Sequence, residues 1–132
     1  MIEVFTDGAS QGNPGISGAG IYVKTDNGHY SYAIPLEEMT NHEAEFHAVI
    51  HALHICIETF ADDIISIQSD SQLVVQAIEN DYVRNEKYQP LLKQIREKIP
   101  YFSHLFAKWI PSKQNFHADR LAKQAIQEQL ST

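Results

Sequence analysis

Four carboxylates in this sequence occupy positions that call for an explanation: Asp7, Glu45, Asp70 and Asp119. If their side chains converge, their mutual repulsion requires cations between them. Carboxylate oxygens suit Mg²⁺ or Mn²⁺ better than zinc. Two such ions about 4 Å apart are a common arrangement for phosphodiester hydrolysis, because they activate a water and stabilise the charge of the transition state.

Glu45 is the most informative of the four because of its place on a predicted helix, Thr40–Thr59. Thr40 and Glu43 form a T-x-x-E capping pattern that indicates the start of this helix. At about 100° per residue, Glu45 falls inside the apolar arc, where an unpaired charge is costly. Either a buried Lys or Arg neutralises Glu45, or Glu45 meets other acids around a cation.

The other three acids also stand at the edges of predicted elements. Asp119 projects from the apolar stripe of a predicted final helix, Asn115–Gln129, although an acid near a helix N-terminus has a purely structural explanation as well. Asp7 and Asp70 each follow a predicted strand, which is common for an aspartate taken alone. Together, two strand ends and two inward helix faces can converge at one edge of a sheet.

Hydrophobic periodicity predicts an α/β protein with the element order βββαβααβα. An antiparallel hairpin followed by helical crossovers predicts a five-stranded mixed sheet flanked by helices. Asn115 is predicted to cap the last helix, and Asp7–Gly15 is predicted to be a loop. The predicted strands are Ile2–Thr6, Gly20–Thr25, His29–Ile34, Asp63–Ser69 and Ser103–Ile110; the predicted helices are Thr40–Thr59, Ser71–Asn80, Pro90–Lys98 and Asn115–Gln129.

The bulk composition favours one domain over residues 1–132, which we expect to be monomeric. No apolar run is long enough to span a membrane, and the N-terminus has no pattern of a signal peptide. With Cys56 as the single cysteine, a reducing, cytoplasmic setting is expected. The net charge of −7 argues against a nucleic-acid partner, although two Mg²⁺ ions would add 4 and bring it to −3.

Four segments resemble the motif regions of the type 1 ribonuclease H family, in the same order and over nearly the whole chain. They are TDGASQGNPG at Thr6–Gly15, TNHEAE at Thr40–Glu45, SDSQ at Ser69–Gln72 and NFHADRLA at Asn115–Ala122. The resemblance implies a ribonuclease H-like fold and an endoribonuclease that hydrolyses the RNA strand of RNA–DNA hybrids to 5′-phosphate ends. It implies two Mg²⁺ ions, with Mn²⁺ as an alternative, no small-molecule cofactor, and four residues that are both catalytic and metal-binding: Asp7, Glu45, Asp70 and Asp119.

The same resemblance implies further site residues. The expected substrate contacts are Gly12, Asn13, Thr40, Asn41 and Gln72. His117 or Lys113 would serve as a proton shuttle, although a solvent-facing position at the start of a helix is the simpler explanation of His117.

The chain departs from many family members in lacking a basic, tryptophan-bearing insertion. The corresponding segment, Asn80–Gln89, contains only Arg84 and Lys87 as cations. We therefore expect weak, salt-dependent hybrid binding. This leaves as an alternative a catalytically weak or silent nucleic-acid-binding protein; a DNA-cutting relative is a third hypothesis, which the motifs argue against.

Two other groups of residues have structural interpretations. The histidines at 47, 51 and 54 lie on one predicted helix face, and a surface stripe explains them better than a zinc site. The aromatic residues Tyr101, Phe106 and Trp109 are predicted to lie in the core.

Overall fold

The computed structural model describes residues 1–131 and contains one five-stranded sheet between helices. Its strands are β1 (Ile2–Ser10), β2 (Gly15–Thr25), β3 (Gly28–Met39), β4 (Ile64–Ser69) and β5 (His104–Trp109). Its helices are α1 (Asn41–Phe60), α2 (Gln72–Asn80), α3 (Gln89–Lys98) and α4 (Phe116–Leu130), with short 3₁₀ turns at Ile99–Tyr101 and Ser112–Asn115. The predicted fold class and element order are confirmed.

The strand order is β3-β2-β1-β4-β5, so that β1 is central. The strands β1, β2 and β3 pair antiparallel, whereas β4 and β5 add in parallel on the other side of β1. The parallel pairs require crossovers, which α1 and the α2–α3 pair supply. The carboxyl end of β4 and the middle of β1 therefore meet in the centre of the sheet.

The predicted end of β1 at Thr6 is wrong. The strand continues to Ser10, which pairs with Ser17 of β2, and a hydrogen bond of 2.8 Å from the Gln11 N–H to the Ile16 carbonyl closes the turn. Small residues with low strand propensity form this extension because the tertiary pairing overrides their local preference. Asp7 consequently lies within a strand and not at its end.

The core lies mainly between α1 and the sheet. Most of the predicted apolar arc of α1 is buried, and the capping box at its start is present, with Thr40 and Glu43 bonded reciprocally. Tyr101 and Trp109, which we predicted to be buried, are 54% and 44% exposed. No helix within residues 1–131 combines the length and apolarity needed to cross a bilayer.

The predicted capping role of Asn115 is also wrong. Its side chain makes no cap hydrogen bond; the side-chain amide instead donates to the Thr6 carbonyl at 2.9 Å. Asn115 is 1% exposed, so this bond lies in the interior and joins the start of α4 to β1. The helix start is thereby fixed beside Asp7.

Helix α4 packs closely on β2 because Gly20 has no side chain. A Cβ atom at Gly20 would lie 1.9 Å from the Ala118 carbonyl oxygen and 2.6 Å from the Ala122 nitrogen. Since Gly20 pairs with Asp7 across the β1–β2 ladder, this approach also brings α4 towards the centre of the sheet.

We expect Gly20→Ala to destabilise the protein, because the new methyl group would push α4 away from β2. The expected loss is about 3 kcal/mol, in the upper range for overpacked cores. Urea unfolding would measure it, with the exposed Ser31→Ala substitution as the control. Equal stability of Gly20→Ala and the wild type would contradict the close packing described here.

Candidate metal centre and active site

Three of the four predicted acids form one compact cluster. Asp7 lies in the middle of β1, Glu45 in the first turns of α1, and Asp70 directly after β4. One carboxylate oxygen from each can be chosen so that all three lie within 4.8 Å of one another. The spacing is suited to a single divalent cation with oxygen ligands.

Glu45 is held by the backbone of the strand that carries Asp7. Its Oε1 accepts a hydrogen bond of 2.7 Å from the Gly8 N–H, and the residue is only 6% exposed. Among residues 1–131, no Lys or Arg forms an ion pair with Glu45. The hypothesis that a buried base neutralises Glu45 is therefore wrong.

The absence of a side chain at Gly8 permits this bond. A Cβ atom there would lie 2.2 Å from the Ala44 carbonyl carbon and 2.4 Å from the Glu45 nitrogen. Only glycine allows β1 and α1 to approach so closely. Sequence reasoning did not identify this role of Gly8, although a glycine directly after a candidate catalytic aspartate was a usable signal.

Two hydrogen bonds fix the turn that carries Asp70. The Trp109 indole Nε1–H donates to the Asp70 carbonyl at 3.2 Å, which ties β5 to the turn after β4. The Ser71 hydroxyl accepts from the Val74 N–H at 3.3 Å and so caps α2. Trp109 thus supports Asp70 from a partly exposed position, a role that the prediction of a core residue missed.

Asp119 stands at the edge of the cluster. It borders the same depression, but its Oδ2 lies 3.0 Å from the Lys123 Nζ and its side chain is 45% exposed. It is close enough to Asp7 to contribute to the raised pKa of that residue. The structure thus brings three acids together and places the fourth beside them.

The electrostatics of the cluster favour a cation. Burial raises the pKa of Asp7 to about 7, and the charges of Asp70 and Asp119 act in the same direction, while a hydrogen bond with Glu45 opposes them. Burial, followed by the charge of Asp7, raises the pKa of Glu45 well above its usual value. Without a cation, the pair therefore retains a proton near neutral pH. The donor set, which has three oxygen ligands and no basic partner, fits Mg²⁺ or Mn²⁺.

The cluster forms part of the lining of an open depression of about 460 Å³. Two of the predicted substrate contacts, Asn41 and Gln72, line it from the starts of α1 and α2. His42 and Ser71 line it too, and sequence reasoning did not propose them as contacts. The depression thus combines acidic groups with neutral groups that can donate hydrogen bonds.

The remaining predicted substrate contacts, Gly12, Asn13 and Thr40, do not line the depression, although each is close in sequence to a residue that does. The Asn13 Oδ1 accepts from the Asn41 N–H at 3.0 Å, which joins the turn after β1 to the start of α1. Thr40 caps the same helix, and Gly12 is exposed in the turn. Their proposed contacts with substrate stay predictions.

The two candidate proton shuttles lie elsewhere. The His117 ring stacks on Tyr22 at 4.1 Å between ring centroids and is half-buried, so it faces solvent less fully than the solvent-facing interpretation assumed. Lys113 is exposed on the 3₁₀ turn before α4. Neither lines the depression of the carboxylates, so the geometry provides no support for a shuttle.

The histidine stripe of α1 does not form a metal site. His47 and His51 are half-buried and His54 is exposed beside Glu58. Within the described part of the chain, the acidic cluster is the only set of three His, Cys, Asp or Glu residues close enough to share one ion. The interpretation as a polar helix surface is consistent with this.

The sequence profile of the family described as reverse transcriptase-like matches residues 5–125. The chain belongs to this ribonuclease H-like family. Among its relatives, the EbsB protein of Enterococcus faecalis, which carries the name of a hydrolase, is 42% identical over 97% of this chain and 96% of its own length. The ribonuclease HI of Halobacterium salinarum is 31% identical over 96% of this chain, which spans 65% of that protein.

Solved structures agree with this assignment. The ribonuclease H1 of Halobacterium salinarum superposes with a TM-score of 0.89 at 28% identity, covering 96% of this chain and 98% of that one. The LC11 ribonuclease H1, solved in complex with an RNA/DNA hybrid, gives a TM-score of 0.89 at 26% identity, covering 98% and 99%. The family resemblance predicted from the four motifs is thus confirmed.

We expect Asp7→Asn to stabilise the metal-free protein at neutral and higher pH. Because the pKa of Asp7 is raised from 3.8 to about 7, the folded wild type holds a proton that the unfolded chain has released, and its stability falls as pH rises through that interval. The variant does not undergo this loss, so its free energy of unfolding should exceed that of the wild type by up to about 4 kcal/mol at pH 8. Thermal unfolding in EDTA from pH 4 to 8 would measure the difference, with the exposed Asp63→Asn as the control. No gain at pH 8 would contradict the raised pKa.

We also expect Mg²⁺ to raise the unfolding temperature of the wild type, since the ion binds only the folded cluster. At a Mg²⁺ concentration about 100 times the dissociation constant, the free energy of unfolding would rise by ~2.7 kcal/mol. The Asp70→Asn variant should lose most of this gain, whereas Asp63→Asn should keep it. A gain that is the same in all three proteins would mean that Mg²⁺ acts elsewhere.

Proposed function

We propose that this protein is an endoribonuclease that hydrolyses the RNA strand of RNA–DNA hybrids, using Mg²⁺ ions bound by Asp7, Glu45 and Asp70, with Asp119 at the periphery. The observation that carries the proposal is the buried acidic cluster that no base neutralises, at the wall of an open depression in a ribonuclease H-like fold. The relative solved with a bound RNA/DNA hybrid supports the substrate class.

The reaction adds water to phosphorus and breaks the bond to the 3′-oxygen, leaving a 5′-phosphate and a 3′-hydroxyl that takes up a proton. Bound divalent ions would supply an activated water and stabilise the charge on the phosphate and the leaving oxygen. The chain's own contribution is to hold the ligands in a fixed arrangement: Gly8 fixes Glu45, and Trp109 fixes the turn of Asp70. Pre-arranged ligands need little rearrangement during the reaction.

The neutral groups around the cluster would position the substrate. Asn41 and Gln72, at the starts of α1 and α2, can donate hydrogen bonds to a sugar or a base edge in the minor groove. The 2′-hydroxyl is the group that distinguishes the RNA strand there. Few base edges would be contacted, so we expect low sequence specificity.

A labelled hybrid cleaved in Mg²⁺ tests the proposal. We expect Asp70→Asn and Glu45→Gln to reduce the cleavage rate by roughly 100- to 10,000-fold, since the ligand geometry contributes several kcal/mol to the barrier. The matched control Asp63→Asn removes an exposed carboxylate outside the site and should cleave at the wild-type rate. Equal rates for all four proteins would rule out the proposed site.

Three further results of this assay bear on the alternatives. Cleavage of an all-DNA duplex but not of the hybrid would support the DNA-cutting hypothesis. Hybrid binding without metal-dependent cleavage would support the silent binding protein, for which the net charge of −7 is the motivating observation. Cleavage of the RNA strand of the hybrid, with its DNA strand left intact, would support the proposed function.

A further inference from the structure

A second, smaller cleft lies beside the start of α4 and shares no lining residue with the carboxylate depression. Its volume is about 190 Å³. Aromatic and polar side chains from β1, β2, the 3₁₀ turn before α4 and the start of α4 line it: Phe5, Tyr22, Lys24, Gln114, Phe116 and His117. Nothing in the proposed hydrolysis uses this cleft.

The cleft offers flat ring surfaces. Tyr22 and His117 stack with centroids 4.1 Å apart and an interplanar angle of 14°, and the Phe116 ring lies 4.2 Å from His117. Phe116 is 59% exposed although it is the first residue of a well-packed helix. A planar ligand could therefore stack on Phe116 without displacing the core.

Two buried polar atoms at the cleft have no hydrogen-bond partner in the described part of the chain: the Asn115 Oδ1 and the His117 Nδ1. Asn115 also lines the cleft and is 1% exposed. Its orientation is determined, because its amide nitrogen donates to the Thr6 carbonyl and a flipped side chain would place two carbonyl oxygens together. An unsatisfied buried group costs about 1–3 kcal/mol, so such atoms point to a missing donor.

Two cationic side chains belong to the elements that line this cleft. Lys24 lines the cleft directly, and Arg120 lies one turn further along α4. Neither Lys24 nor Arg120 forms an ion pair within residues 1–131.

Stacking surfaces, unpaired acceptors and adjacent cations match one ligand class. We propose that this cleft binds an unpaired nucleobase of a nucleic-acid strand, with Lys24 and Arg120 contacting the phosphates on either side. Base–aromatic stacking combined with a cationic groove is the usual way in which proteins bind single strands. The amino and ring N–H groups of a base could donate hydrogen bonds to the two unpaired acceptors, the Asn115 Oδ1 and the His117 Nδ1.

The location connects the cleft with the carboxylates. Phe5 precedes Asp7 by two residues on the same face of β1, a separation of about 7 Å along a strand. A single-stranded extension of a bound duplex could therefore occupy the cleft while the duplex lies at the acidic depression. In this respect the proposal rests on the proposed function, because it assumes that the same protein binds a hybrid.

Fluorescence anisotropy with a labelled single-stranded DNA oligonucleotide, in EDTA, tests the cleft without hydrolysis. We expect Phe116→Ala and Lys24→Gln each to weaken binding by about 5- to 50-fold, as for loss of one stacked base or one phosphate contact. The matched controls Tyr101→Ala and Lys93→Gln remove an exposed aromatic residue and an exposed lysine elsewhere and should bind as the wild type does. Unchanged binding by Phe116→Ala and Lys24→Gln would overturn the proposal.

Two further comparisons separate this site from the hydrolytic one and from a site for free nucleotides. Phe116→Ala should bind a hybrid with a single-stranded extension less tightly than the wild type but cleave a blunt hybrid at the same rate. If blunt hybrid is not cleaved by any protein while the oligonucleotide still binds through Phe116, the hydrolysis proposal fails and the cleft stands. If adenosine monophosphate binds as tightly as the oligonucleotide, the assignment to a strand is overturned.

Discussion

The constraint on which the rest of the structure depends is the burial of like charges without a basic partner. Asp7, Glu45 and Asp70 offer oxygens within 4.8 Å of one another, and two of these residues are less than a tenth exposed. Folding places them there at a cost, because burial and repulsion both disfavour the ionised forms. The raised pKa of Asp7 expresses that cost, and a divalent cation is the partner that would remove it.

Glycines at two strand–helix contacts make room for this cluster. Gly8 lets α1 contact β1, and Gly20 lets α4 contact β2, so that Glu45 and Asp119 arrive beside the strand of Asp7. The hydrogen bonds from Gly8 to Glu45 and from Asn115 to Thr6 fix the same junctions. These contacts stabilise a locally unfavourable arrangement of charge, as is common at functional sites.

The sequence predicted the element order and the convergence of four acids, of which three form the cluster, because both expectations follow from local signals. Glu45 interrupts a strong helical periodicity, and such a conflict is visible without a structure. The length of β1 was missed, since its last residues are held by pairing and not by propensity. The roles of Asn115 and Trp109 were missed because each depends on a partner distant in the chain, the Thr6 carbonyl and the Asp70 carbonyl.

The most direct test of the central claim is the position of a bound ion in a crystal grown with Mn²⁺. Anomalous scattering locates Mn²⁺ independently of the protein density. We predict a peak in direct contact with oxygens of Asp7, Glu45 and Asp70, with the Gly8–Glu45 hydrogen bond retained. A crystal in which these carboxylates bind no ion, while Mn²⁺ occupies other acidic sites, would contradict it.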